Sequence, residues 1–120
     1  MSSRILICDD DEGILKMLKI MLDYEGFQVI ANIKSSKVYA LVKKHLPDVV
    51  IVDLWMPVVP GYEVIKILRK DPVTSGVPIL AISASIDGEI AAMEAGANNF
   101  LAKPFDLDQL LAIIHTMLRV

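Results

Sequence analysis

Val49-Val50-Ile51-Val52-Asp53 is the stretch on which the fold turns. Four β-branched aliphatic residues in a row show no polar alternation. That pattern belongs to a strand of a parallel sheet covered by helices on both faces, since a half-wetted strand would alternate. The run is entered through Pro47-Asp48, ends on the carboxylate of Asp53, and gives way to a turn carrying Pro57, Pro60 and Gly61.

Working back from it, strand and helix signals alternate. Ile5-Leu6-Ile7-Cys8 is an apolar strand that stops at Asp9-Asp10-Asp11, and Ile14, Leu18, Met21 and Leu22 follow at helical spacing. Gly26 stands where a helix C-cap would, and Phe27 to Ala31 reads as a second strand. Ser35 or Ser36 is expected to cap a second helix carrying Val38, Leu41 and Val42, which must end before Pro47. Working forward, Val64, Ile65 and Leu68 mark a third helix and Val77 to Ser83 a fourth strand. Glu89 to Glu94 is a short helix stopped by Gly96, and Phe100-Leu101-Ala102 a short fifth strand. The last helix opens at Asp106 with Gln109 three residues on, a capping-box pattern. Its inner stripe is Leu107, Leu110, Leu111, Ile114 and Leu118.

Five strand–helix units joined by helix-length crossovers imply an α/β fold: one doubly wound, three-layer domain spanning residues 1–120. For a five-stranded parallel sheet the expected strand order is 2-1-3-4-5. The length of 120 residues suits one domain with one core. Hydrophobic residues make up 54% and charged residues 22%, which excludes compositional disorder. No apolar run approaches the ~20 residues of a membrane span. Met1-Ser2-Ser3-Arg4 leads straight into a strand without a signal-peptide pattern, so the expected compartment is the cytoplasm. A net charge of −3 without a Lys/Arg cluster argues against direct nucleic-acid binding by this chain. Cys8, the single cysteine, has no Cys or His partner at ligand spacing and reads as a small buried side chain.

In this topology ligands bind outside the carboxyl ends of the strands where strand order reverses, here between the first and third strands. Asp9 and Asp10 end the first strand and Asp53 the third, so three carboxylates converge on that crevice. Ser83 and Lys103 lie on the same rim. Converging carboxylates repel unless a cation neutralises them, and a hard divalent ion with oxygen ligands such as Mg²⁺ suits the set. A lysine and a hydroxyl opposite it suit a transferring phosphoryl group, and an Asp carboxylate can serve as the nucleophile. There is no Gly-rich nucleotide loop after the first strand, so the phosphoryl donor must be another molecule. Taken singly, each residue also has a plain reading: Asp9 and Asp10 as caps or turn residues, Ser83 as a strand-end hydroxyl, Lys103 as an exposed cation. Asp11 and Glu12 read as first-turn acids. The conjunction of five on one rim carries the inference.

The chain resembles the CheY-like receiver family of two-component signalling along essentially its whole length. The matching pieces are Ile5 to Asp11, Pro47 to Asp53, Met56-Pro57 with Gly61, Ser83-Ala84, Glu94-Ala95-Gly96-Ala97 and Lys103-Pro104-Phe105-Asp106. The resemblance implies that Asp53 is the phosphoacceptor and that Mg²⁺ is bound by Asp10 directly, by Asp9 largely through water, by Asp53 and by the backbone carbonyl of Trp55. It implies that Ser83 and Lys103 contact phosphoryl oxygens and that Phe100 is the switch aromatic. A cis bond between Lys103 and Pro104 is expected with it. The implied function is a phosphorylation-dependent switch. A histidine kinase or histidine phosphotransfer protein supplies the phosphoryl group, and the face of the fourth helix, fifth strand and fifth helix controls a downstream protein or fused output domain. Such a domain assists its own phosphorylation and dephosphorylation but is not an enzyme acting on external substrates.

The sequence departs from the family pattern in places. The stretch from Ser83 to Ala95 is short, so the fourth helix is expected to be short or displaced, and the connection into the second helix is long. Val58 and Pro60 replace a more usual Gly and Asp. Trp55 reads either as a shield for the phosphate or as a loop aromatic, and His45 and His115 read as solvated. Two other readings stay open. A phosphatase or phosphotransferase with an aspartyl-phosphate intermediate would want an acid two residues after Asp53, where Trp55 stands. An interaction domain independent of phosphorylation would show a damaged acidic site.

Overall fold

The computed structural model describes residues 3–85 and 87–118. Met1 and Ser2, the expected lead-in to the first strand, lie outside the described residues. The strands are β1 Arg4–Cys8, β2 Gln28–Asn32, β3 Val49–Asp53, β4 Ile79–Ser83 and β5 Asn99–Ala102. The helices are α1 Glu12–Tyr24, α2 Val38–His45, α3 Gly61–Lys70, α4 Gly88–Ala95 and α5 Leu107–Leu118. All pairings are parallel and the order is β2-β1-β3-β4-β5, as the sequence implied.

Every residue of β3 and of β4 is buried, because helices cover both faces. Side chains alternate between the two faces along a strand. Val49, Ile51, Leu80 and Ile82 pack with Leu15, Leu18 and Leu22 of α1 and with Leu110 and Ile114 of α5. Val50, Val52, Ile79 and Ala81 pack with Val38 and Val42 of α2, Val64, Ile65 and Leu68 of α3, and Ala92 of α4. Among the described residues no helix is long and apolar enough to cross a membrane.

Local signals explain most helix ends. Asp11 caps α1, its Oδ1 accepting from the amides of Gly13 at 2.9 Å and Ile14 at 3.1 Å. The predicted capping box on α5 is present: the Gln109 amide donates to Asp106 Oδ1 at 2.8 Å and the Asp106 amide to Gln109 Oε1 at 3.0 Å. α1 and α4 give way to Gly26 and Gly96, both at positive φ.

Some expectations are corrected. Neither Ser35 nor Ser36 caps α2. Ser35 to Lys37 form a 3-10 turn that accommodates the long connection, and Ser35 Oγ donates instead to the carbonyl of Pro57 at 3.3 Å. In α1 the deepest residues are Leu15, Leu18 and Leu22, while Ile14 and Met21 are half-buried, because the helix is rotated toward Leu15. In α5 Met117 joins Leu110 and Ile114 inside, and Leu107, Leu111 and Leu118 are half-buried at its edge. His115 is exposed, whereas His45 is half-buried at the end of α2.

Candidate functional site

The sheet register brings the acids together. Cys8 pairs with Val52, so the residues that follow, Asp9 and Asp53, emerge side by side at the C-terminal rim. Oxygen atoms of Asp9, Asp10 and Asp53 lie within 4.8 Å of one another. Asp9 is fully buried, Asp53 is 7% exposed and Asp10 is exposed. Both oxygens of Asp9 are engaged: Oδ1 accepts from the Asp11 amide at 2.9 Å and Oδ2 from Lys103 Nζ at 2.9 Å. Among the described residues the Asp10 carboxylate has no hydrogen-bond or ion-pair partner. One residue of the pair is thus committed to the protein and its neighbour is open to solvent.

Lys103 Nζ lies 3.6 Å from Asp53 Oδ2, bridging Asp9 and Asp53. Burial works against its charge, but the hydrogen bond to Asp9 and the attraction of Asp53 and Asp9 outweigh it and raise its pKa. Burial pushes the Asp53 carboxyl above the ordinary carboxylate range. Lys103 and the Trp55 amide pull it down, while Asp9 and Asp10 push it further up. The amide of Trp55 reaches Asp53 Oδ1 only at 3.5 Å. A buried, weakly solvated carboxylate beside a cation and two further acids has the chemistry to serve as a nucleophile and to attract a counter-ion.

Gly61 holds the loop against this strand end. A Cβ at Gly61 would stand 2.1 Å from the Asp53 carbonyl oxygen, so only glycine lets α3 begin there, and its amide donates to the Leu54 carbonyl at 2.7 Å. In the same turn Val58 sits at φ 71°, a left-handed conformation that a β-branched residue adopts only under strain.

Ser83 and Phe100 belong to the α3/α4 side of the sheet. Ser83 is fully buried, and its Oγ accepts from the Ser85 amide at 3.0 Å. Phe100 is half-buried against the cluster beneath α3 and α4. The Lys103 amide donates to the Ser83 carbonyl at 2.8 Å, which joins the ends of β4 and β5, and the Lys103–Pro104 bond is cis. The Trp55 side chain is 49% exposed and rests edge-on against Tyr62, ring centroids 5.7 Å apart. Cys8 is buried, with its thiol pushed up to about 12 chiefly by burial, which makes it inert.

The sequence reading missed Arg69. Its guanidinium donates to the carbonyls of Gly96 at 2.9 Å, Ser75 at 2.9 Å and Val77 at 2.6 Å, and to Asn98 Oδ1 at 2.8 Å. It therefore staples α3 to the α4–β5 turn. A basic residue in a last helical turn gave no sign of partners so far along the chain.

The response regulator receiver domain model matches residues 5–115. The chain belongs to that family. This receiver domain is 36% identical over 118 residues to the DNA-binding dual master transcriptional regulator RpaA of Synechocystis sp., a match covering 97% of the chain and 49% of the relative. The receiver domain spans about half the length of such curated relatives, and 27% of the response regulator PleD of Caulobacter vibrioides, to which it is 34% identical over 99% of its own length. Among solved structures it superposes on a Chloroflexus aurantiacus protein assigned as a response regulator with a TM-score of 0.95, at 34% identity and full coverage of both chains. The fold is the CheY-like one. A phosphoryl-accepting role in two-component signalling is what the family implies for this receiver domain.

Proposed function

We propose that the chain is a phosphorylation-dependent switch in which Asp53 takes a phosphoryl group from the phosphohistidine of a histidine kinase or histidine phosphotransfer protein. A carboxylate oxygen of Asp53 attacks phosphorus, the P–N bond breaks, and the freed imidazole nitrogen takes up a proton. Attack of water on the acyl phosphate later returns the carboxylate and inorganic phosphate. The observation that supports this reading above others is the convergence of Asp53, Asp9, Asp10 and Lys103 at one point of the rim.

In this reading Lys103 moves from bridging two carboxylates to pairing with a phosphoryl oxygen, and Ser83 donates to another. The donor set fits Mg²⁺: three hard carboxylates, of which Asp10 is open to solvent and Asp9 already accepts one protein donor on each oxygen. Asp10 and Asp53 would hold the ion directly, with the Trp55 carbonyl, and Asp9 would act through water. When bound, the ion would neutralise charge that builds on the phosphoryl oxygens. Ser83 and Phe100 would carry the change to the face of α4, β5 and α5, where Ile90 is 67% and Met93 46% exposed and available to a downstream protein or output domain.

Mass spectrometry after incubation with Mg²⁺ and a small acyl-phosphate donor tests the proposal. One phosphoryl group is expected on the wild type and none on Asp53→Asn, with no steady-state turnover beyond slow hydrolysis. Equal labelling of the variant would overturn the assignment.

A further inference from the structure

Residues 54–60 join β3 to α3 and include Trp55, whose carbonyl the proposed function gives to the metal. The base of this loop is closed by the Gly61 amide, which donates to the Leu54 carbonyl at 2.7 Å. Its tip is a γ-turn: the Val59 amide donates to the Pro57 carbonyl at 2.9 Å across Val58 at φ 71°. A γ-turn of that hand is rare and strained, so it persists only where the surroundings impose it. The surroundings here are the connection that follows β2. Asn32, the last residue of β2, fixes that connection: its Nδ2 donates to the Lys34 carbonyl at 2.6 Å and its Oδ1 accepts from the Lys34 amide at 3.2 Å. Ser35, the next residue, is buried, and its Oγ donates to the Pro57 carbonyl at 3.3 Å. Among the described residues this is the one hydrogen bond from another element to the backbone of residues 56–59.

Packing does little to replace it. A cavity of about 140 Å³ lies beside the contact, lined by Ser35, Ser36, Tyr39, Val59, Val64 and Ile67. The chain between the contact and the metal carbonyl is stiff. Met56 is buried with its Sδ 3.4 Å from Cys8 Sγ, and as the residue before a proline it is confined to extended backbone. The ring of Pro57 fixes the next torsion. A shift of the Pro57 carbonyl is therefore passed to the Trp55–Met56 peptide, whose oxygen is the carbonyl in question. We propose that Ser35 is a positioning residue for the metal, holding the loop in the shape in which the Trp55 carbonyl is in register with Asp10 and Asp53. Mg²⁺ demands near-ideal octahedral geometry, whereas Ca²⁺ accepts irregular and flexible ligand sets. Loss of the hydroxyl lets the loop populate other shapes, and apparent affinity falls with the fraction still competent. Ser35 thus sets the preference of the site for Mg²⁺ over Ca²⁺. The inference rests on the proposed metal site at Asp10, Asp53 and the Trp55 carbonyl.

The cavity leaves room for a methyl group at Ser35, so Ser35→Thr keeps the hydroxyl and Ser35→Val removes it at nearly the same bulk. Mg²⁺ and Ca²⁺ are titrated into each protein. Binding is read from the fluorescence of Trp55, the single tryptophan, and from the metal-induced rise in melting temperature. Ser35→Val and Ser35→Ala should bind Mg²⁺ roughly twofold to tenfold more weakly, the span of one hydrogen bond, and should lose clearly less toward Ca²⁺. Ser35→Thr should match wild type. With a small acyl phosphate at limiting Mg²⁺, Asp53 in Ser35→Val should label more slowly by the same factor, and saturating Mg²⁺ should restore the rate. A residue that only braces the fold would lower the melting temperature of metal-free protein and leave both affinities unchanged. That result overturns the proposal, as does equal weakening toward the two ions, or a Ser35→Thr protein that binds like Ser35→Val. Wild type that neither binds Mg²⁺ nor takes label overturns the metal and phosphoacceptor reading together with the role of Ser35. Wild type that does both, beside variants that match it, overturns the role of Ser35 alone.

Discussion

The neighbouring helices α3 and α4 cover the same face of the sheet and are held in opposite ways. α3 sinks Val64, Ile65 and Leu68 into the core, none more than 2% exposed. α4 buries only Gly88, Ala92 and Ala95 and leaves Ile90 and Met93 outside. Three aliphatic side chains contribute of the order of 6 kcal/mol of burial, two alanine methyls about 1–2. The closeness of α4 to the sheet therefore comes from small residues rather than from large buried area. Arg69 adds a second asymmetry within α4: it holds the Gly96 carbonyl at the C-terminal end, while at the N-terminal end the Gly88 amide donates only to the nearby Ser85 carbonyl. A helix pinned at one end and weakly bound along its length is suited to tilt about the pinned end, and α3 is suited to be the fixed wall beside it.

The largest expected effect tests the energetic half of that contrast. Leu68→Ala should cost about 3 kcal/mol in urea-induced unfolding, the usual range for a buried leucine. Ala92→Gly, equally buried but on α4, should cost about 1 kcal/mol, mostly helix propensity. Equal losses would mean that α4 is anchored as firmly as α3 and would break the comparison.

The next effect sharpens it from the other face, where the acids sit. The Asp53 carboxyl has a folded pKa above its ordinary value, so in metal-free protein its burial costs nothing below the ordinary carboxylate range. The cost grows as pH rises from the ordinary to the folded value and is complete above it. A divalent cation relieves that cost. With a dissociation constant of ~1 mM, ~10 mM Mg²⁺ at neutral pH should add roughly 1.4 kcal/mol by mass action. The gain should shrink in acid and be strongly reduced in Asp10→Ala. A neutral-pH melting temperature that ignores Mg²⁺ would remove the metal from the proposal.

A smaller effect is expected at the turn that leads into α3. Val58 is 92% exposed at φ 71°, and its conformation is imposed by neighbours: the Val59 amide on the Pro57 carbonyl at 2.9 Å, Ser35 Oγ on the same carbonyl, and Gly61 packed on Asp53. Val58→Gly should stabilise the fold by about 1 kcal/mol, strain relief exceeding the entropy cost of glycine. A loss on thermal unfolding would show that the turn is not strained and that the anchored side carries no such cost.

How much of this was legible in the sequence depends on how local the signal is. The five strands, the capping box at Asp106 and Gln109, and the three acids on one rim follow from runs, caps and topology, and all are present. The site's internal hydrogen bonding was not legible. Lys103 and Asp9 are 94 residues apart, and nothing local says that Lys103 bonds Asp9 more closely than Asp53. The Ser35/Ser36 cap failed because the long connection had room for a 3-10 turn, and tertiary contact with Pro57 claimed the hydroxyl. Val58 was noticed as a departure, yet its positive φ is set by packing. The fourth helix was expected to be short, and α4 spans only Gly88–Ala95, but how closely it lies on the sheet needs three dimensions.

The smallest expected effect bears on the dynamic half of the comparison. Hydrogen exchange measured on unphosphorylated and phosphorylated protein should change from Asp87 to Gly96 and leave β3, from Val49 to Val52, untouched, since β3 is buried on both faces and opens only with the whole fold. Within α4 the change should be graded. Amides near Gly88 lie next to Ser85, which donates to Ser83 Oγ, and should shift in protection by a few-fold, less than the 1.4 kcal/mol of a tenfold factor. Amides near Ala95 and Gly96 should shift least, because Arg69 keeps its hold on the Gly96 carbonyl from a helix that does not move. A uniform change along α4 would mean that the helix leaves as a body and that Arg69 is no pivot. No change anywhere from Asp87 to Gly96 would leave Asp53 able to accept phosphate but would require the signal to leave the domain by another face.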